Sequence, residues 1–306
     1  NLPLAATLSL VQMGLTFGLM AAYTRLQARM SRPLALRPRR TTQRAPVRRH
    51  ERLLVLGNLT LMLLLLGLPL AALVGRSLDV DNYRRLFENP RGSVFYVPPV
   101  EAVRNSVGFA LATVGLAVTL GLLSALALSR PGRMAALLDP VLMLPLTTSA
   151  VTLGLGYIVA LDKPPLDLRT SPLLVVLAHT LVALPFVVRS VLPALRSIDP
   201  RLREAAAILG ASPWQVWREV DLPIVARATL VGAVFAFTVS MGEFGATSLI
   251  ARPERPTLPI AIYRFLGRPG AANYGQALAM STLLMAVCLL GFLLIERFRV
   301  GEMGEF

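Results

Sequence analysis

Residues 53–75 read Leu53-Leu-Val-Leu-Gly-Asn-Leu-Thr-Leu-Met-Leu-Leu-Leu-Leu-Gly-Leu-Pro-Leu-Ala-Ala-Leu-Val-Gly75, without one charged side chain. Wound as a helix at about 1.5 Å per residue, such a run crosses the roughly 30 Å hydrocarbon layer of a bilayer. In lipid every backbone N–H and C=O must be paired within its own segment, so a run of this length takes the form of a helix. Alternating ten-residue segments, the mark of a membrane barrel, are absent from the sequence.

The same pattern recurs on either side. Apolar runs lie at 2–23, 102–129, 137–161, 172–188, 228–249 and 276–295, with Pro140 and Pro145 inside the third of these and Pro185 inside the fourth. The expected fold class is therefore an all-α membrane protein, a polytopic helical bundle of about seven spans. Over the 306 residues, 55% are hydrophobic and only 16% charged, whereas soluble domains carry about a quarter charged residues. The charge is confined to short stretches between the runs. Residues 25–52 hold ten arginines against one acid, Glu51, and form a linker rich in arginine; Asn89-Pro90-Arg91-Gly92 reads as a turn.

Arginine also sets the expected orientation. With the loops alternating across the membrane, the side holding 25–52, 130–133, 189–227 and the tail carries twenty basic residues, against nine on the other. The first side is expected to be cytoplasmic, with the linker lying against anionic lipid. The net charge of +14 is thereby a matter of topology, and nucleic acid is not an expected partner, because no aromatic residues interleave the arginines. His50, His179 and Cys288 lie in separate segments, so neither a metal-ligand set nor a catalytic group is expected, and the chain is not read as an enzyme.

Residues 199–223 stand apart from the other polar stretches. Asp199 is a good N-cap and Pro200 suits the first helical position, where its missing N–H costs nothing. Glu204, Ala205, Ala206 and Ala207 favour helix. Gly210 can take the left-handed position that ends one. Ser212, Pro213 and Gln215 then spell a second helix start with a capping box, and Pro223 is expected to end the unit before the next span.

The fixed positions Glu204-Ala205-Ala206, Gly210 and Leu222-Pro223 resemble the EAA motif of binding-protein-dependent ABC importer permeases. Val220 stands where isoleucine is more usual. His179-Thr180-Leu181, Pro185 to Arg189, and Gly242 to Thr247 are also similar to that family, and the likeness covers about 102–297. It implies a permease core of five to six spans within a transmembrane domain at 53–297, with the EAA loop at 199–223 and a cytoplasmic tail at 298–306. It further implies that this loop docks on a separate ABC ATPase dimer, with Leu202, Ala206 and Leu209 as the apolar stripe framed by Arg201 and Glu204. A second permease half and an external or periplasmic substrate-binding protein are the other implied partners. The location implied is a bacterial or archaeal plasma membrane, multi-pass. No cofactor is expected on this chain: its one lysine, Lys163, has no glycine loop around it, so ATP would bind the partner.

The sequence begins at Asn1 and has no basic stretch before its first apolar run, so a signal peptide is not expected. Residues 1–24 read as the last span of a preceding permease half, with 25–52 as the spacer of a fused chain. Thiamine and ferric-iron importers resemble that layout, and Thr257-Leu258-Pro259 with Ile262-Tyr263 is most like the thiamine type, whereas the Gly242–Thr247 stretch is also similar to sulfate and molybdate permeases. Glu243 is the acid well inside a span, readable either as a pathway or gating group or as a packing group bonded to a neighbouring helix. Thr147, Thr148 and Ser149 follow Pro145 and either line the path or satisfy carbonyls freed by the proline. His179 has the same two readings, and Tyr157 and Tyr263 read as aromatics at the external interface. A stand-alone secondary transporter or channel is the alternative; it calls for an inverted repeat and more ionisable groups near the midplane.

Overall fold

The computed structural model describes residues 48–88 and 98–301, apart from 131, 162 and 165, with Pro46 and scattered positions between 7 and 26. Most of the expected span at 2–23 and of the linker at 25–52 up to residue 47, and all of the turn at 89–92 and of the tail beyond 301, lie outside the described residues. Among those described, every regular element is helical. In chain order they are α1 (Arg49–Ser77), α2 (Val80–Arg84), α3 (Pro99–Ser129), α4 (Arg133–Thr147), α5 (Ala150–Ala160), α6 (Leu173–Ser197), α7 (Pro200–Ile208), α8 (Pro213–Gly242), α9 (Thr247–Ile250), α10 (Leu258–Leu266) and α11 (Ala271–Gly301). Five are long and apolar enough to cross a membrane: α1, α3, α6, α8 and α11 as far as Leu294.

The core lies where α3, α6 and α8 cross. Along α3 the buried positions Ala102, Ser106, Ala110, Thr113, Ala117, Gly121 and Ala125 recur every three or four residues, which places small side chains on one face. Small residues let helix backbones approach closely where lipid supplies no hydrophobic drive between helices. Val187 of α6 wedges between two of them: a Cβ at Gly121 would lie 2.6 Å from Val187 Cγ1, and one at Gly232 of α8 would lie 3.1 Å from Val187 Cα. Around this wedge Val188, Val191, Leu192, Leu195 and Val225 close the core.

Several expected boundaries are corrected. The run at 137–161 is not one straight span but two helices, α4 and α5, bent by 106° at Thr148–Ser149. Pro140 and Pro145 remove two helix donors, and Thr147 Oγ1 and Thr148 Oγ1 both bond the Leu144 carbonyl at 2.9 Å, so side chains take over the last turn. The span expected at 172–188 runs on to Ser197, through both Pro185 and Pro193. The loop expected between the last two spans holds α10, whose Leu258, Ile260, Ala261 and Phe265 are buried. It is pinned to α3 by Leu258 N donating to Ser106 Oγ at 2.7 Å and Asn105 Nδ2 donating to the Pro256 carbonyl at 3.2 Å.

The largest correction concerns Pro223, which does not end the 199–223 unit. The helix that starts at Pro213 runs without a break into the membrane as α8, and stops at Gly242 rather than near 249. Proline in a helix clashes with the carbonyl four residues back and leaves it without a donor. Here a π turn at Trp217–Asp221 precedes Leu222-Pro223, and Leu222 N bonds back to the Trp217 carbonyl. The same device appears in α1, where a π turn at Leu63–Gly67 precedes Leu68-Pro69. In both places one widened turn makes room for the ring, so the helix survives.

Candidate functional site

The 199–223 segment is built as its residues dictate. Asp199 accepts from Arg201 N at 3.0 Å and opens α7. At its other end Gly210 has φ +84, while Gly210 N bonds the Ala207 carbonyl and Ala211 N the Ala206 carbonyl, both at 3.0 Å. This is a Schellman closure, and it needs a residue without a Cβ at its left-handed position. Ser212 and Gln215 then form a reciprocal capping box, with Ser212 N donating to Gln215 Oε1 at 2.7 Å.

What this scaffold displays is apolar. Ile208 is 85% exposed, Leu209 87% and Trp214 67%, with Leu202 half exposed beside them. Ala205 is exposed and Ala206 half-buried; Leu222 and Pro223 are exposed on the following turn. Arg201 and Glu204 are exposed, and among the described residues the Glu204 carboxylate has no hydrogen-bond or ion-pair partner. Sequence reading missed Ile208 and Trp214, although both lie next to positions it named.

The opposite end of α8 holds a buried polar cluster. Glu243 caps the break after the span: its carboxylate accepts from Ala246 N and Thr247 N, each at 3.0 Å, and from Thr247 Oγ1. His179 of α6 lies with Nε2 2.7 Å from Thr247 Oγ1 and Nδ1 2.7 Å from Ser240 Oγ. Since Thr247 gives its hydrogen to Glu243, His179 Nε2 donates to Thr247, and in a neutral ring Nδ1 accepts from Ser240. His179 Nε2 is 3.6 Å from Glu243 Oε2. Four side chains from α6, α8, the break after it and α9 thus satisfy one another. Ser240, Glu243 and Thr247, spaced three and four apart, carried a helical-face signal that could have flagged the first and last of them.

The cluster is also braced from α5. A Cβ on Gly154 would meet the Ala246 backbone at 2.9 Å, and one on Gly245 would meet Ala150 Cβ at 2.8 Å. Thr147 and Thr148 are half-buried and Ser149 exposed; the two threonine hydroxyls go to Leu144 rather than to the cluster. Tyr157 Oη bonds the Leu177 carbonyl at 3.3 Å, and Tyr263 is exposed against Phe244. Beside this end, Phe109, Thr170, Ser171, Val175, Ile250 and Arg252 line part of an open cavity of about 310 Å³.

A helical bundle that crosses the membrane several times and projects a capped, apolar segment from one end has the build of a transport permease. The chain belongs to the family of binding-protein-dependent transport system inner membrane components, whose model matches residues 117–299. It is 34% identical over 238 residues to the molybdenum transport system permease protein ModB of Mycobacterium tuberculosis, an alignment covering 73% of this chain and 86% of that one. It is 27% identical over 259 residues to the thiamine transport system permease protein ThiP of Brucella suis, covering 85% of this chain and 46% of that protein. Its fold is similar to the crystal structure of a bacterial ABC transporter involved in import of the acidic polysaccharide alginate, at 17% identity and TM-score 0.65, covering 82% of this chain and 95% of that chain. The protein is thus a multi-pass permease subunit of an ABC importer in the bacterial inner membrane.

Proposed function

We propose that this permease moves a small solute, delivered by an external binding protein, with ATP hydrolysed by a partner ATPase dimer seated on α7 and the start of α8. A second permease half completes the path. The observation that carries this reading is the docking surface: Leu202, Ile208, Leu209 and Trp214 exposed beside unpaired Glu204, on a helix fixed at both ends by its own caps. A hydrophobic patch rimmed by charge, held rigid before any partner arrives, is suited to docking. The cavity beside the His179–Glu243 cluster is the proposed cargo entrance. The cluster is the latch behind it, joining α6 to the break between α8 and α9.

For cargo, thiamine is the first candidate and ferric iron the second. The Thr257-Leu258-Pro259 and Ile262-Tyr263 run, together with the likeness to ThiP over 85% of the chain, supports the former. The likeness to ModB supports an oxyanion as the competing cargo.

The test is an affinity pull-down of the full chain from detergent-solubilised membranes, scored for a co-purifying ATPase and repeated with Gly210→Asp. Nothing crowds a Cβ at Gly210, so that variant acts through backbone strain, about 1–2 kcal/mol at this φ, and through the negative charge it adds beside the exposed Leu209. Co-purification in the wild type and its loss in the variant is the expected result. A well-inserted wild-type chain that brings down no ATPase would move the stand-alone transporter reading to the front.

A further inference from the structure

The docking helix has little apolar attachment to the bundle that it would have to move: none of the residues of α7 is buried. Its firmest tie is polar. Arg203 Nε lies 2.8 Å from Asp221 Oδ1, across 18 residues of chain. Asp221 is 8% exposed and is the last residue of the π turn, directly before Leu222-Pro223. Trp217 and Val220, on the same turn, pack against the core that includes Leu195, Ile198 and Val225. The ion pair therefore joins the docking helix to the point where α8 enters the core.

That point is mechanically weak by itself. A π turn interrupts the regular i→i−4 ladder, and Pro223 removes the next donor. A load applied at Leu209 or Glu204 would bend the chain there before it turned the span. A charged pair bridging the soft turn from outside closes α7, the Gly210 junction and the start of α8 into one braced triangle. Arg203 faces Asp221 and is partly shielded, whereas Leu202 and Ile208 are exposed on the same helix.

We propose that Arg203 and Asp221 are positioning residues for transport: a clasp that makes the docking helix and span α8 move as one lever, without belonging to the surface that touches the ATPase. The inference rests on the docking reading above. The test reconstitutes the full chain with its co-purified ATPase, the second permease half and the external binding protein, with thiamine as the solute and molybdate as the second probe, and measures, for Asp221→Asn, Arg203→Gln and the exchange Arg203→Asp/Asp221→Arg, three quantities: ATPase retained, ATP hydrolysed and solute moved per ATP. The single variants are expected to keep the ATPase and its hydrolysis while solute per ATP falls roughly 5- to 150-fold, the span of typical coupling effects. The exchange is expected to recover most of that loss, which a general packing defect would not. If Asp221→Asn folds poorly, Arg203→Lys gives the second measurement: a point charge in place of the planar fork should leave an intermediate ratio. Wild-type solute per ATP in Asp221→Asn would overturn the clasp. Loss of the ATPase from Asp221→Asn while the wild type retains it would overturn it too, by making Asp221 part of the docking surface. A wild-type chain that retains no ATPase would instead overturn the docking reading on which the clasp depends.

Discussion

At one end of α8, Ile208, Leu209 and Trp214 stand 85%, 87% and 67% exposed; at the other, His179, Glu243 and Thr247 are 1%, 6% and 0% exposed. Each end places side chains against the usual rule, and in opposite senses. The buried polar end is complete within the chain: both imidazole nitrogens and both carboxylate oxygens have partners. The exposed apolar end is not complete, because its large side chains are held in place by caps and covered by nothing among the described residues. The difference separates two jobs. A polar group satisfied internally fixes how helices meet; an apolar surface left open is finished only by another molecule.

The sharpest way to break this contrast is Glu243→Leu. It strands two backbone N–H groups and the Thr247 hydroxyl in a buried site, so unfolding in detergent should become easier by about 3 kcal/mol, with ATPase co-purification unchanged in whatever protein remains folded. A variant as stable as wild type would show that the cluster does not hold the helices together. Ser240→Ala removes one hydroxyl bonded to His179 and should cost about 0.6 kcal/mol, the average for hydrogen bonds between membrane helices. A thermal-shift series of the two would resolve the order. Leu209→Ser should change stability least, within about 0.5 kcal/mol. Yet it should weaken the captured ATPase more than either of the others. Stability loss at Leu209 comparable with that at Glu243 would erase the distinction between the two ends.

Much of this was legible in the sequence wherever the signal is local. The caps at Asp199, Ser212 and Gln215 and the left-handed Gly210 each depend on residues within one turn of chain, and the structure forms them as written. The apolar runs at 53–75, 102–129 and 276–295 likewise fall within single long helices. What escaped depends on partners distant in sequence or on strain that has more than one remedy. His179 and Thr247 are 68 residues apart, and Arg203 and Asp221 are 18 apart. Pro145 and Pro223 present the same local problem, yet a sharp bend follows one and a π turn precedes the other. The hydroxyls of Thr147 and Thr148 are at hand for Leu144, so the chain there can stop; near Pro223, Trp217 and Val220 are anchored in the core, so the helix continues. Helix α10 is only nine residues long and follows Pro253 and Pro256, so it carries no signal of a span.

The π turn at Trp217–Asp221 has a consequence for how the two halves of α8 are aimed. A widened turn holds one residue more than a regular one, and each residue turns a helix by about 100°. The docking half and the membrane half are therefore out of phase by about that angle compared with an unbroken α-helix. Deleting a single residue between Trp217 and Asp221 would restore regular winding and leave the Trp214 face where it is, whereas regular winding with all five residues kept would swing that face by about 100° around the axis. Azimuth, as much as chemistry, thus decides which side of the bundle the exposed apolar segment faces, and it is set by one residue of surplus chain.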